Sequence, residues 1–252
     1  MSLSDAPAVY ERDGDIGTLT LNRPKVHNAL SIELLADLRL RLAEVASEPP
    51  KVLIVTGAGR SFCAGMDLKQ VLARPEAPLE LLSSLSRCLL ALRALPSVVI
   101  AKVNGAAIGG GCGLTCACDF AVTFESNVMG FPEVDLGVCP AVVAPWLARK
   151  IGHGRAREVL LLGGTFDGRR AKELGLVREA AADRTMLDAA VDSLAKTIAT
   201  GGAMALRETK ALLNTLDGSL DADLAQRAAE RSAAVLATEE ARVSLQRRLE
   251  SR

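Results

Sequence analysis

Residues 97–124, SVVIAKVNGAAIGGGCGLTCACDFAVTF, decide the fold class of this chain. The segment begins with an apolar run typical of a buried strand, and consecutive glycines follow at 109–111. A short helical stretch then reaches Ala117, and DFAVTF (119–124) is a second strand. A strand, a glycine turn, a helix and another strand in this order indicate an α/β core of the parallel type.

Toward the N-terminus the sequence continues this alternation. Two short strands between Tyr10 and Leu21 predict an opening hairpin. The next helix is capped by Ser31 and ends before Pro49. KVLIVTG (51–57) is a further strand with the composition of one buried on both faces, and residues 79–95 have the spacing of a second helix.

The C-terminal third has a different texture. Glycines punctuate short helices after Pro145, and from about Asp188 the composition is helical to the end. Residues 220–249 carry an apolar face, which either the chain's own core or a partner subunit would cover. We therefore expect an α/β core over residues 1–187 and a helical region used for oligomerisation over residues 188–252.

The charge balance argues against polyanionic partners. The 252 residues include 30 basic and 30 acidic side chains, so the formal net charge is zero, and aromatic residues make up only 3%. A nucleic acid or an anionic membrane favours a basic protein, and single-strand binding relies on aromatic stacking. We expect neither nucleic-acid nor membrane partners.

The cysteines and the N-terminus favour the cytoplasm. Residues 1–17 have neither the basic segment nor the apolar stretch of a secretory signal, and the apolar runs further along are interrupted before they could span a membrane. Six irregularly spaced cysteines then indicate free thiols in a reducing compartment. The two histidines, His27 and His153, are far in sequence from the clustered cysteines, so we expect no metal site.

Two glycine-bearing turns, at residues 57–68 and 103–114, each follow a buried strand. The chain has no GxGxxG, GxxxxGK[ST], GxSxG or HExxH pattern, which removes several familiar kinds of active site. Small residues leave backbone N–H groups open to a ligand, and two converging donors make an oxyanion hole. Small residues also allow a strand and a helix to pack closely, and spacing alone does not separate the two roles.

Both turns belong to a set of five motifs in a fixed order. The motifs are LNRPKVHNAL (21–30), GAGRSFCAGMDL (57–68), VNGAAIGGGCGLTCACDF (103–120), FPEVDLGVCPAVVAPWL (131–147) and GTFDGRRAKELGLV (164–177). Together they resemble the enoyl-CoA hydratase/isomerase family, also called the crotonase family. The resemblance implies a spiral of repeated β-β-α units with C-terminal helices for trimerisation, assembled as a homotrimer or homohexamer. It also implies an acyl-CoA thioester substrate that brings coenzyme A with it, and no separate cofactor.

The resemblance also assigns roles to individual residues. Met66 and Gly110 would donate their backbone N–H groups to the thioester oxygen, and Glu133 stands at the position of the family's catalytic glutamate. Glu133 follows a proline and leads an apolar stretch, so burial should raise its pKa toward the working pH. Asp135 is a possible helper, although a surface or capping role fits it as well. The residues implied along the path of coenzyme A are Arg23, Lys25, Ala64, Asp67, Leu68 and Gly111; Asp67 should also cap the following helix.

One position departs from the family pattern. Hydratases with two glutamates carry the second one in the GGG-x-E turn, where this chain has Gly113. The resemblance therefore implies a single-glutamate enzyme, with hydration of a 2-enoyl-CoA, either plain or branched like methylglutaconyl-CoA, as the first interpretation. Isomerisation of a 3-enoyl-CoA to a 2-enoyl-CoA is the alternative. A protein that binds CoA esters without turnover is the alternative of another class.

Overall fold

The computed structural model describes residues 6–250, which form strands and helices in alternation. The strands are β1 (Ala8–Asp13), β2 (Ile16–Leu21), β3 (Val52–Gly57), β4 (Ser61–Cys63), β5 (Val98–Lys102), β6 (Ala106–Ile108), β7 (Phe120–Phe124), β8 (Val128–Gly130), β9 (Thr165–Asp167) and β10 (Glu179–Ala181). The α-helices are α1 (Ile32–Ser47), α2 (Leu68–Ala73), α3 (Ala77–Ala94), α4 (Gly110–Ala117), α5 (Ala144–Ile151), α6 (His153–Leu162), α7 (Gly168–Leu174), α8 (Arg184–Ala199), α9 (Ala203–Leu216), α10 (Ala222–Leu236) and α11 (Glu239–Glu250).

The strands build two sheets that the chain visits in turn. The six-stranded sheet has the order β1-β2-β3-β5-β7-β10, and the four-stranded sheet has the order β4-β6-β8-β9. The successive pairs β3–β4, β5–β6 and β7–β8 each place one strand in each sheet, which winds the chain into a spiral. The predicted α/β spiral is confirmed, and β1 and β2 form the predicted antiparallel hairpin.

Alternate residues of β3 explain why its sequence is apolar throughout. Val52 and Ile54 point to one face of the sheet, where Leu187 of α8 joins them in a small core. Leu53 and Val55 point to the other face and belong to the main core, which α1 and α3 cover. A strand covered on both faces needs apolar residues on both, so β3 lacks the alternation of apolar and polar residues that a half-exposed strand shows.

The C-terminal helices pack on the body of the same chain. Helix α8 runs across the predicted boundary at 187/188 and lies against β5, β7 and β10, so it belongs with the sheet. Helix α10 buries Ala228, Ser232 and Leu236 and packs along α3. Helix α11 buries Leu245 and contacts α2 and the 3-10 helix Val134–Leu136. We expected either the chain's own core or a partner subunit to cover the apolar face of residues 220–249. The chain's own core covers part of it.

Among residues 6–250, no helix is long and apolar enough to cross a membrane. The His, Cys, Asp and Glu side chains of the same range form no group of three or more that could hold a metal ion. The first five residues of the stretch inspected for a secretory signal lie outside the described part of the chain.

Candidate active site

The glycine turn after β6 places an N–H donor at the start of α4. Gly109 has φ of +54°, in the left-handed region that glycine tolerates, and its N–H donates to the carbonyl oxygen of Gly130 at 2.9 Å. Helix α4 begins at the next residue, Gly110, and all its residues are buried. The first N–H groups of a helix have no partner within the helix, and the helix dipole favours negative charge beside them. The Gly110 N–H is therefore suited to an anionic oxygen.

The backbone of Met66 offers a second donor. The N–H of Leu30 donates to the carbonyl oxygen of Gly65 at 2.8 Å, and the N–H of Asp67 donates to the carbonyl oxygen of Leu30 at 2.9 Å. In a parallel bridge of this kind the residue between the two bonded neighbours directs its own N–H away from the bridge. The N–H of Met66 is therefore left for a ligand.

Met66 and Gly110 line one cavity of about 430 Å³, a volume typical of small-molecule sites. Residues of the first glycine turn, α3, the second glycine turn and the loop after β8 contribute most of its wall, with additions from α10 and α11. The lining residues are Ala64, Gly65, Met66, Leu68, Leu82, Leu85, Ile108, Gly109, Gly110, Pro132, Glu133, Asp135, Leu136, Val138, Cys139, Pro140, Val142, Val143, Gly164, Thr165, Ser232, Leu245 and Arg248.

Glu133 brings a carboxylate into this cavity. Its own carbonyl oxygen accepts from the N–H groups of Leu136 and Val138, at 3.0 and 2.8 Å, which fixes the turn on which it sits. The residue is only 9% exposed, and its Oε2 atom has no hydrogen-bond partner among residues 6–250. The carboxylate lies against Gly109, where an added Cβ would stand 2.9 Å from Oε1. A buried, unpartnered oxygen beside the glycine turn is poised to bind a proton.

Burial makes the carboxyl group of Glu133 an unusually weak acid. Loss of solvent raises its pKa from 4.5 to about 7; its own backbone N–H opposes this rise, and the negative charge of Asp135 adds to it. The folded protein thus binds this proton more tightly than the unfolded chain, so stability falls as the pH rises from 4.5 to about 7. The rise in pKa corresponds to about 3 kcal/mol. The fold tolerates this cost, and the Glu133 carboxyl group has a pKa near neutral pH.

Asp135 supports the same turn from the side. Its Oδ2 atom accepts from the N–H of Gly164 at 2.8 Å, which ties the 3-10 helix to the loop before β9. The side chain also lines the cavity. Asp135 therefore has a structural contact of its own and contributes negative charge near Glu133.

The residues predicted along the coenzyme A path fall into two groups. Ala64 and Leu68 line the cavity, whereas Arg23, Lys25, Asp67 and Gly111 are not among its lining residues. Arg23 donates to the carbonyl oxygen of Ala29 at 2.6 Å and pairs with Asp67 at 3.4 Å. The predicted cap at Asp67 is wrong in one respect, because its side chain accepts no capping hydrogen bond from α2 and meets Arg23 instead.

Two of these residues have surroundings that bear on their predicted roles. Gly111 lies so close to β4 that an added Cβ would collide with the carbonyl oxygen of Cys63, so close packing accounts for this glycine. Lys25 is an exposed residue of the 3-10 helix Pro24–Val26, so its charged group lies at the protein surface. The contacts of Lys25 and Gly111 with coenzyme A stay predictions.

Gly113 stands beside the cavity wall. A Cβ at this position would lie 2.6 Å from Cγ1 of Val143, and Leu89 is the next neighbour. Val143 itself is 3% exposed and lines the cavity. The space that a second carboxylate would need is therefore occupied by an apolar side chain.

Several lining residues were not predicted from the sequence. Leu82 and Leu85 come from α3, and Ser232, Leu245 and Arg248 come from α10 and α11. The helical spacing of their apolar neighbours indicated burial of one helix face, but not the surface that this face would meet. The contribution of the C-terminal helices to the site is a consequence of tertiary packing.

The chain is similar to several known proteins. A family model described as enoyl-CoA hydratase/isomerase matches residues 11–252. An enoyl-CoA isomerase/hydratase of Mycosarcoma maydis is 37% identical over 204 residues, covering 76% of this chain and 74% of that protein. A crotonyl-CoA hydratase of Syntrophomonas wolfei is 33% identical over 211 residues, covering 82% and 80%. The crystal structure of an enoyl-CoA hydratase from Mycobacterium avium is 33% identical, with a TM-score of 0.87 and coverage of 98% of both chains.

Proposed function

The chain belongs to the enoyl-CoA hydratase/isomerase family of enzymes that act on acyl-CoA thioesters, and we propose that it hydrates a 2-enoyl-CoA with Glu133 as the sole acid–base group. The observation that carries the proposal is the buried carboxylate of Glu133, with its unpartnered Oε2 in the cavity that Met66 and Gly110 line. An oxyanion hole of two N–H groups and a base with a pKa near neutrality are the parts that such a reaction needs.

The parts of the site act in sequence, and Glu133 acts twice. Glu133 takes a proton from water while the water oxygen bonds to the β-carbon of the enoyl group. The electrons of the double bond move to the thioester oxygen, where the N–H groups of Met66 and Gly110 stabilise the enolate. Glu133 then returns its proton to the α-carbon. The protonated and ionised forms of Glu133 are both accessible near pH 7, which suits a group that takes and returns a proton.

Gly113 supports a second candidate function, isomerisation of a 3-enoyl-CoA to a 2-enoyl-CoA. Val143 fills the space beside Gly113, so the cavity has no carboxylate there to hold an attacking water. A single glutamate is enough to take a proton from one carbon of the acyl chain and deliver it to another. The methyl branch of a 2-enoyl group such as methylglutaconyl would pack on the same apolar wall, whereas its terminal carboxylate would need a polar partner.

An experiment in ¹⁸O-labelled water separates these functions. Crotonyl-CoA, methylglutaconyl-CoA and a 3-enoyl-CoA would each be incubated with the enzyme. The mass of each product would then be measured by mass spectrometry. We expect one label atom at the β-carbon, because hydration adds a solvent oxygen there. Rearrangement without label would favour the isomerase over the hydratase, and no conversion of any substrate would favour a protein that only binds CoA esters.

The proposal includes the surroundings of the reaction. Coenzyme A enters as part of the substrate, Arg23, Lys25 and Asp67 contact it outside the lining of the cavity, and the reaction uses no separate cofactor or metal. The backbone donors supply the stabilisation that a Lewis acid would otherwise give. We place the enzyme in the cytoplasm, because its six cysteines are all unpaired, as is usual in a reducing compartment.

We also propose that the protein assembles as a homotrimer or homohexamer. Helix α9 presents Met204, Leu212, Leu213 and Leu216, each more than half exposed. Several large exposed apolar side chains on one helix are typical of protein interfaces. The stoichiometry of three or six follows from the resemblance to the family, and light scattering on the purified protein should give three or six times the mass of one chain. A monomer throughout the micromolar range would contradict the assembly.

A further inference from the structure

A second cavity lies directly behind the wall of the first. It is more open to solvent than the first and has a volume of about 630 Å³, and Val138, Cys139 and Pro140 line both cavities. We call these three residues the partition. On its far side, small and apolar residues of α5, α6 and α10 form the second cavity: Ala144, Ala148, Ala156, Leu160, Leu161 and Val235, with His153 and Arg157 among them.

The partition is held in place from three directions. The N–H of Val138 donates to the carbonyl oxygen of Glu133 at 2.8 Å, which links the partition to the proposed base. From α10, the hydroxyl of Ser232 donates to the carbonyl oxygen of Cys139 at 2.7 Å and accepts from the N–H of Ala141 at 3.1 Å. The carbonyl oxygen of Pro140 accepts from the N–H of Ala144 at 2.9 Å. These bonds make the partition a fixed wall.

The surroundings of Glu133 indicate what meets this wall. If the thioester oxygen lies between Met66 and Gly110, the acyl chain runs past Glu133 along an apolar surface that includes Val142 and Val143. Each methylene that the acyl chain buries lowers the free energy of binding, until a wall stops the chain. Val138 lines the same cavity and is bonded through its N–H to the carbonyl oxygen of Glu133, so it is among the residues that such a chain would meet.

We propose that the partition sets the upper limit of acyl-chain length, and that the second cavity accepts the end of a longer chain once Val138 is shortened. This inference rests on the proposed acyl-CoA reaction. The wild-type enzyme should prefer crotonyl-CoA over trans-2-decenoyl-CoA. Val138→Ala removes two methyl groups from the wall between the cavities and should raise the ratio of kcat/KM for decenoyl to crotonyl substrate by about tenfold or more.

Val142→Ala is the matched control. Val142 and Val138 are both 4% exposed, so the two substitutions remove the same groups from equally buried positions, but Val142 lines only the first cavity. Because the acyl chain also passes Val142, this variant measures how far enlargement of the first cavity alone raises the ratio, and the rise should be clearly smaller than in Val138→Ala, since no path opens behind the wall. Circular dichroism would establish that both variants fold.

Three results would overturn the proposal: an unchanged ratio in Val138→Ala, an equal rise in Val142→Ala, or a wild-type enzyme that already uses both substrates equally well. Calorimetric binding of butyryl-CoA and decanoyl-CoA measures the same preference without turnover. If no enoyl-CoA is converted but Val138→Ala selectively strengthens decanoyl-CoA binding, the proposed reaction fails and the role of the partition stands. If neither turnover nor binding discriminates by length in any variant, the role of the partition fails.

Discussion

Replacing Glu133 by glutamine should reduce kcat/KM on the true substrate at least about a hundredfold, the range typical of an acid–base group. The substitution keeps the volume of the side chain and removes the only group in the cavity that we assign to proton transfer. Steady-state kinetics at saturating and limiting substrate would measure it. Because the amide does not alter the backbone donors of Met66 and Gly110, binding of a saturated acyl-CoA should persist.

A matched control and a pH series sharpen this result. Glu158→Gln makes the same chemical change at an exposed position on α6 and should leave turnover intact. In the wild type, kcat/KM should rise with pH through an inflection near 7, because only the ionised form of Glu133 accepts a proton. Survival of turnover within about threefold in Glu133→Gln, too small a loss for this role, would show that another group is the base.

The sequence determines the larger elements of the fold more clearly than the smaller ones. Strands β3 and β5 are apolar runs bounded by turn residues, and α1 has its cap at Ser31, so local patterns were enough to predict them. Strands β4, β6 and β8 have three residues each, too few for a periodic pattern. The four-stranded sheet therefore depends on tertiary strand pairing, which the local sequence pattern does not predict.

The residues of the site also differ in how far the sequence alone predicts them. The two glycine turns and the Pro132-Glu133 pair could be singled out from the sequence, because glycine and proline constrain the backbone locally, and the resemblance to the family then assigned the roles of Glu133, Met66 and Gly110. Ser232 and its neighbours on α10 and α11 are separated from those motifs by many helical turns. Their contact with the cavity follows from the packing of α10 along α3, which a sequence pattern describes only as one buried face.

Gly110→Pro should lower kcat about a hundredfold to a thousandfold, the usual effect of losing one oxyanion-hole donor. Proline removes the N–H at this position and nothing else of the backbone, and its fixed φ suits the first residue of a helix. Gly109 precedes it and has no Cβ to collide with the proline ring. The substitution therefore deletes the proposed donor while helix α4 keeps its start.

Gly110→Ala separates the lost donor from crowding. A Cβ at this position would stand 2.7 Å from Cδ1 of Leu30 and 3.1 Å from Cδ2 of Leu85, both ends of flexible side chains that can move aside. Alanine adds this Cβ but keeps the N–H, so kcat should fall by less than about tenfold, well short of the loss of a donor. Equal losses in the two variants would assign the effect to crowding by the Cβ. A large loss in the proline variant alone would show that the thioester oxygen lies at the Gly110 N–H, because the proline Cδ takes the place of that hydrogen and so removes the donor and excludes the oxygen.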